Sequence, residues 1–220
     1  MKNMKSIKSQ QSGFTLVEIA IVLVIIGLLL GGILKGQELI NSAKAKSFAQ
    51  DFRTIQTALY GFQDRYKALP GDFSGTRLTN AITGATATTV TATENNGQIN
   101  GAWDSTSTAD ESCVFWQHLR LAGFLAGPTV VNCTAGNDYL QKNADSGRIG
   151  ISTTMQIAGM TGSFNICSSG ITGKLAKQLD TQLDDGTTNT GSVRIALITA
   201  PTVALATVAD ADATIVCLAF

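Results

Sequence analysis

The stretch that decides the fold is residues 13–35, GFTLVEIAIVLVIIGLLLGGILK. Between Gly13 and Lys35 lie 21 residues, of which only Glu18 carries a charge. As a helix rising about 1.5 Å per residue, this segment would be about 30 Å long, which matches the hydrocarbon core of a bilayer. We therefore expect it to span a membrane as one helix.

Glu18 is the unusual residue of this segment. A carboxylate left unpaired deep in lipid costs about 3 kcal/mol, so a positively charged partner is expected close by. Cleavage of the chain after Gly13 would supply one, because it leaves a new amine on Phe14.

The junction resembles that of the type IV prepilins and the related pseudopilins of bacterial secretion systems. A short basic leader precedes it, and the match consists of Gly13, Phe14, Thr15, Leu16, Val17 and Glu18. The resemblance covers about the first third of the chain. It implies that a prepilin peptidase cuts after Gly13 and that Phe14 is methylated. It also assigns filament assembly to Thr15 and Glu18, with the glutamate paired to the N-terminal amine of a neighbouring subunit.

Two other interpretations of the N-terminus stay open. A secretory signal peptide also begins with a positive region, but residues 33–38, ILKGQE, make a poor cleavage site after the apolar run. A plain membrane anchor needs no cleavage. In the prepilin and anchor interpretations, the basic leader faces the cytoplasm by the positive-inside rule.

Glycines crowd the middle of the helix, at Gly27, Gly31, Gly32 and Gly36. Each weakens a helix interior by about 1 kcal/mol relative to alanine, and each also lets another helix approach closely. Ordinary glycine usage in membrane helices is an equal alternative. Many type IV pilins have proline at the position of Lys35, and the glycines are a candidate substitute for it.

The helix is expected to continue beyond the membrane, from residue 14 to residue 67 over about 80 Å. Alternating steps of four and three residues place one apolar stripe along it, at Phe48, Phe52, Ile55, Leu59, Phe62, Tyr66 and Leu69. Pro70 is expected to end the helix, with Gly71 and Asp72 forming a capped turn. A globular domain is expected to pack on this stripe.

The rest of the chain predicts an α+β domain. Residues 74–110, rich in Thr, Ala, Gly and Asn, are expected to form a long irregular and exposed excursion. Helices are predicted at residues 111–125 and 172–183, and strands near residues 148–156, 163–167, 192–199 and 213–220. The fold class is therefore type IV pilin-like: a long N-terminal helix packed on a head domain with an antiparallel sheet. The predicted divisions are leader 1–13, transmembrane helix 14–35, amphipathic continuation 36–69 and head domain 70–220.

The four cysteines predict disulfides. Cys113, Cys133, Cys167 and Cys217 contain no CxxC pair, so a zinc cluster is not indicated. Two bonds allow three pairings. Sequential closure favours Cys113–Cys133 and Cys167–Cys217, worth about 3 and 4 kcal/mol in the chain-entropy model. The second pair resembles the C-terminal disulfide-bounded region of type IV pilins.

No catalytic residue is predicted. His118 is the only histidine, and no GxSxG or phosphate-binding loop accompanies it, so a packed or surface histidine is favoured. No cofactor is expected. Asp184 and Asp185 could offer oxygen ligands to calcium, as acidic loops do in some pseudopilins, but a helix end with a turn at Gly186 is favoured.

These features predict a structural subunit rather than an enzyme. A net charge of zero with 15% charged residues gives no indication of nucleic-acid binding. The expected partners are copies of the chain in a filament, the prepilin peptidase, the inner-membrane assembly machinery, and lipid before assembly. The expected location is the bacterial inner membrane, in a single pass, then an extracellular pilus or a periplasm-spanning pseudopilus. The use of the filament stays open among motility, adhesion, DNA uptake and secretion. The alternatives are a type II secretion pseudopilin and a membrane-anchored periplasmic binding protein.

Overall fold

The structure, a computed structural model, describes Gly13, residues 15–90 and residues 93–220. Phe14 and residues 1–12 lie outside the described residues, and so do the predicted leader and the predicted methylation of Phe14. Four helices are described: α1 (Leu16–Tyr66), α2 (Gly75–Ala81), α3 (Glu111–Leu121) and α4 (Gly173–Leu183). The strands are β1 (Ile149–Ser152), β2 (Asn165–Thr172), β3 (Val193–Leu197) and β4 (Ala213–Ala219).

The four strands form one antiparallel sheet in the order β1-β2-β4-β3. The α+β class with a long N-terminal helix is thereby confirmed. The chain divides into two compact units, Met1–Asn41 and Ser42–Phe220. Helix α1 runs through this division, so its C-terminal part belongs to the second unit.

Helix α1 ends earlier than its proline suggests. The last helical hydrogen bond joins the Lys67 amide to the Gln63 carbonyl, and Lys67 adopts a left-handed φ of 55°. The turn is therefore made three residues before Pro70, by a backbone reversal that no glycine signals. The sequence predicted a capping role for Asp72, but its carboxylate does not cap α1. Its carboxylate accepts hydrogen bonds from the amides of Asn96 and Gly97, at 2.8 and 3.0 Å.

The predicted apolar stripe of α1 is the centre of the domain core. Phe48, Phe52, Leu59 and Phe62 are at most 1% exposed, and they share one cluster with Trp116 and with residues of the sheet. The opposite face of the sheet carries a smaller apolar cluster around Trp103, Ile157, Ala196 and Ile215. Both faces of the sheet are therefore covered.

The disulfides join Cys113 to Cys133 and Cys167 to Cys217. These are the pairs that sequential closure favoured. Cys167 and Cys217 lie directly opposite each other on the neighbouring strands β2 and β4. The other bond attaches the segment after α3 to that helix.

The excursion over residues 74–110 is mostly irregular, as expected, with α2 as its helix. It is less exposed than expected. Leu78, Val90, Ile99 and Trp103 are all buried. The reason is that polar side chains of α3 hold it: Glu111 accepts hydrogen bonds from Thr93, from the Asn100 amide and from the Asn100 side chain, at 2.6 to 3.0 Å.

His118, on α3, makes hydrogen bonds to two other segments of the chain. The Gly71 amide donates to Nδ1 at 3.0 Å, and Nε2 lies 3.1 Å from the Thr88 carbonyl. Because Nδ1 accepts, the ring is neutral with its hydrogen on Nε2. Burial lowers the pKa of His118 from 6.5 to about 4, despite the Thr88 carbonyl, which favours the charged form. His118 is thus a structural residue.

We expect this neutral histidine to make the free energy of unfolding pH-dependent. The unfolded chain protonates His118 near pH 6.5 and the folded chain only near pH 4. Stability from this group is therefore complete above pH 6.5 and is lost as the pH falls toward 4, by about 3 kcal/mol in total. Urea unfolding of the wild type and of His118→Gln across this range measures it. Other titrating groups are common to both proteins and cancel in the difference. Parallel pH curves would contradict the assignment.

Candidate processing and assembly segment

The first turn of α1 contains a capping box formed by Thr15 and Glu18. The Thr15 amide and hydroxyl donate to Oε2 of Glu18 at 2.9 and 2.7 Å, and the Glu18 amide donates to the Thr15 hydroxyl at 3.3 Å. The two side chains therefore satisfy backbone groups that a helix start leaves unpaired. The T-x-x-E spacing of these residues is the sequence signal for this arrangement.

The capping box determines where the Glu18 carboxylate lies relative to the helix dipole. Its carboxylate lies at the helix N-terminus, where the helix dipole favours negative charge. The hydrogen bonds engage Oε2, and Oε1 accepts none from the described residues. Glu18 is therefore fixed by Thr15 and still presents one carboxylate oxygen to an external cation.

Gly13 lies outside the helix, which begins at Leu16. It is exposed, and a Cβ added there would meet no heavy atom within 4 Å. Contacts with the described residues therefore impose no requirement for glycine at this position. Any such requirement comes from a molecule that binds the segment.

Residues 16–40 of α1 present many exposed apolar side chains. Leu16, Leu28 and Leu34 are 91%, 74% and 68% exposed, and α1 contains a stretch of 18 residues with mean hydropathy 2.8. By length and composition, α1 is long and apolar enough to cross a membrane. An exposed apolar surface of this extent indicates a site of contact with lipid or with other protein.

The four helix glycines lie within this surface. A Cβ at Gly27, Gly31, Gly32 or Gly36 would meet nothing within 4 Å. No contact within the described chain therefore requires them to be glycines. The first charged residue after the apolar run, Lys35, forms an exposed ion pair with Glu38 at 2.7 Å.

The other candidate residues lie in the head domain. Asp184 and Asp185 follow α4, as the favoured helix-end interpretation expects, with Asp184 as C-cap. The structure adds Asp180, one helical turn earlier, which the sequence analysis missed. Oxygens of the three carboxylates lie within 4.8 Å of one another. Burial raises the pKa of Asp180 to about 6, and the charges of Asp185 and Asp184 add to the shift.

Comparison with known families identifies the N-terminal segment. Residues 8–34 match the family model of the prokaryotic N-terminal methylation motif, which is the prepilin-type cleavage and methylation segment. No curated protein matches the chain. The matched residues include Gly13, the capping box and the first part of the apolar helix, which together fit anchoring in a membrane before assembly.

Proposed function

We propose that this protein is the structural subunit of a type IV pilus-like filament. It is inserted into the bacterial inner membrane by residues 14–35, cut after Gly13, methylated at Phe14 and polymerised through its N-terminal helix. The prepilin-type motif at residues 8–34 supports the processing. The motif also favours a structural subunit over an enzyme.

The observation that carries the proposal is the contrast between the two units. The second unit buries the apolar stripe of α1, whereas the apolar side chains of residues 16–40 in the first unit are exposed. A helix that is apolar all round is stable in lipid and equally in a bundle of identical helices. The open glycine positions suit such a bundle, because backbones approach closely where side chains are absent.

Glu18 gives the bundle its register. In a filament centre, a carboxylate surrounded by apolar helices needs a cation, since an unpaired buried charge is costly. The N-terminal amine of Phe14 from the next subunit is the cation that cleavage creates. The capping box holds the Glu18 carboxylate in place before assembly, which lowers the entropy lost on pairing.

The proposal is tested by the mature protein from the native host. We expect an intact mass that lacks residues 1–13 and includes one added methyl group on Phe14. We also expect the protein in the fraction sheared from the cell surface. A mature chain that begins at Met1 or after Lys35 would contradict the proposal. Methylated protein confined to the cell envelope would instead support a pseudopilus.

A further inference from the structure

Among the described residues, three carboxylates are at least 97% buried: those of Asp72, Glu111 and Asp180. Asp72 accepts two backbone hydrogen bonds, and Glu111 accepts three from Thr93 and Asn100. Asp180 is 0% exposed, and neither of its oxygens has a hydrogen-bond partner in the part of the chain that the structure describes. A buried polar group without a partner is costly, so this one points to a missing ligand.

Asp180 lies in the last turn of α4, on the side that carries the buried residues Leu175, Ala176 and Leu179. Its carboxylate approaches those of Asp184 and Asp185, with oxygens of all three within 4.8 Å. The cluster therefore has a closed inner side formed by Asp180 and an open outer side formed by the exposed Asp185.

Hydrogen bonds from the following loop and from the first residue of β3 hold the two outer carboxylates in place. The Val193 amide donates to Asp184 at 2.8 Å. The Thr187 amide and the Thr190 hydroxyl each donate to Asp185 at 2.7 Å. The carboxylates are thus kept together, although their like charges repel each other.

No positive side chain among the described residues forms an ion pair with this cluster. Lys177, three residues before Asp180 on α4, instead binds the Asp210 carboxylate at 2.5 Å and the Val208 carbonyl at 3.1 Å. The C-terminal end of α4 adds the partial negative charge of the helix dipole. The site is therefore strongly negative and favours a cation.

We propose that Asp180, Asp184 and Asp185 bind a calcium ion that connects the end of α4 to the start of β3. Three carboxylates supply only oxygen ligands, which suit a hard divalent cation. Calcium accepts irregular coordination by six to eight oxygens, and water reaches the open side of the cluster to complete it. The site does not depend on the proposed filament, because all its residues lie in one head domain.

The test uses the full-length mature chain in detergent, freed of metal by a chelator. Calorimetric titration with CaCl₂ should give a Kd of about 10⁻⁴ to 10⁻³ M, the range of extracellular calcium modules. Thermal unfolding in 10 mM CaCl₂ should shift upward by about 5 °C. No heat of binding and no shift would overturn the proposal. An equal or larger shift with MgCl₂ would overturn the assignment to calcium.

Variants separate ligand loss from misfolding. Asp180→Asn should weaken calcium binding at least 10-fold, and without calcium it should unfold at or above the wild-type temperature, because a buried unpaired charge is gone. Asp185→Asn, at an exposed position, should weaken binding in a fold that is undisturbed. Asp138→Asn is the control, since that carboxylate is 95% exposed and forms an ion pair with Lys142, away from the cluster. Wild-type affinity in the Asp180 or Asp185 variant would overturn the site.

Discussion

Replacing Glu18 with glutamine is expected to reduce filaments at least 100-fold while leaving the protein in the membrane. The physical reason is that the substitution leaves the positively charged partner of Glu18 without an anion. Without the Glu18 charge, the Phe14 amine of the next subunit is enclosed among apolar helices with no anion. Removing one partner of a buried ion pair costs about 3–5 kcal/mol, which is a factor of 100 or more in each subunit contact.

Glutamine is the informative substitution because of the capping box. A glutamine at position 18 keeps an oxygen that can accept from Thr15, so the helix start is preserved. Glu18→Leu removes both the charge and the capping box, at a further cost of about 1 kcal/mol to the helix end. If pairing sets assembly, the two variants fail alike. If capping alone matters, Glu18→Gln assembles normally, and that result would contradict the pairing.

The measurement is a blot of sheared filaments beside a blot of the membrane fraction. Glu38→Gln is the matched control, because it neutralises a second glutamate of α1 that already has an ion pair with Lys35 in its own chain. We expect this control to assemble normally. Equal membrane levels in all variants show that insertion and folding are intact.

The second large effect is expected at Gly13. Gly13→Leu should leave the uncut precursor in the inner membrane, with no mature chain and no filaments. A Cβ added there meets no heavy atom of the described residues within 4 Å, so we do not expect the substitution to act through the described fold. The expected cause is a block of the prepilin peptidase processing that the motif implies, which we propose takes place after Gly13.

Immunoblots for precursor and mature chain measure this effect. A non-reducing gel checks that the precursor still forms its disulfides and therefore folds. Ser12→Ala, one residue earlier, should be cut normally. Efficient cleavage of Gly13→Leu would show that the processing site has been misplaced.

The sequence by itself determined the long N-terminal helix of this protein. An apolar run of bilayer length, a GFTLVE junction and a stripe with helical spacing are local patterns, and the residues that form them are neighbours in the chain. The same holds for most strands and for α3 and α4, whose periodicity lies within single elements. Even the capping box of Thr15 and Glu18 was available from its T-x-x-E spacing.

Only the tertiary structure decided how the head domain uses its polar residues. His118 contacts Gly71, 47 residues away, and Asp72 binds amides 24 and 25 residues away. The sequence predicted a helix over residues 111–125, where α3 lies, but not the extent of its burial. The structure buries residues 111–120 entirely, because the excursion and the segment after the helix cover its other side. Hydrogen bonds between distant segments have no periodicity in the chain, so no local pattern encodes them.

Asp180 shows the same limit most sharply. In the sequence it is one polar residue within the helix predicted at residues 172–183. In the structure it faces the core and approaches Asp184 and Asp185, while the following loop holds those two in place. Whether an aspartate is solvated or buried without a partner depends on which segments pack over it. That packing is fixed only when the helix and the sheet come together.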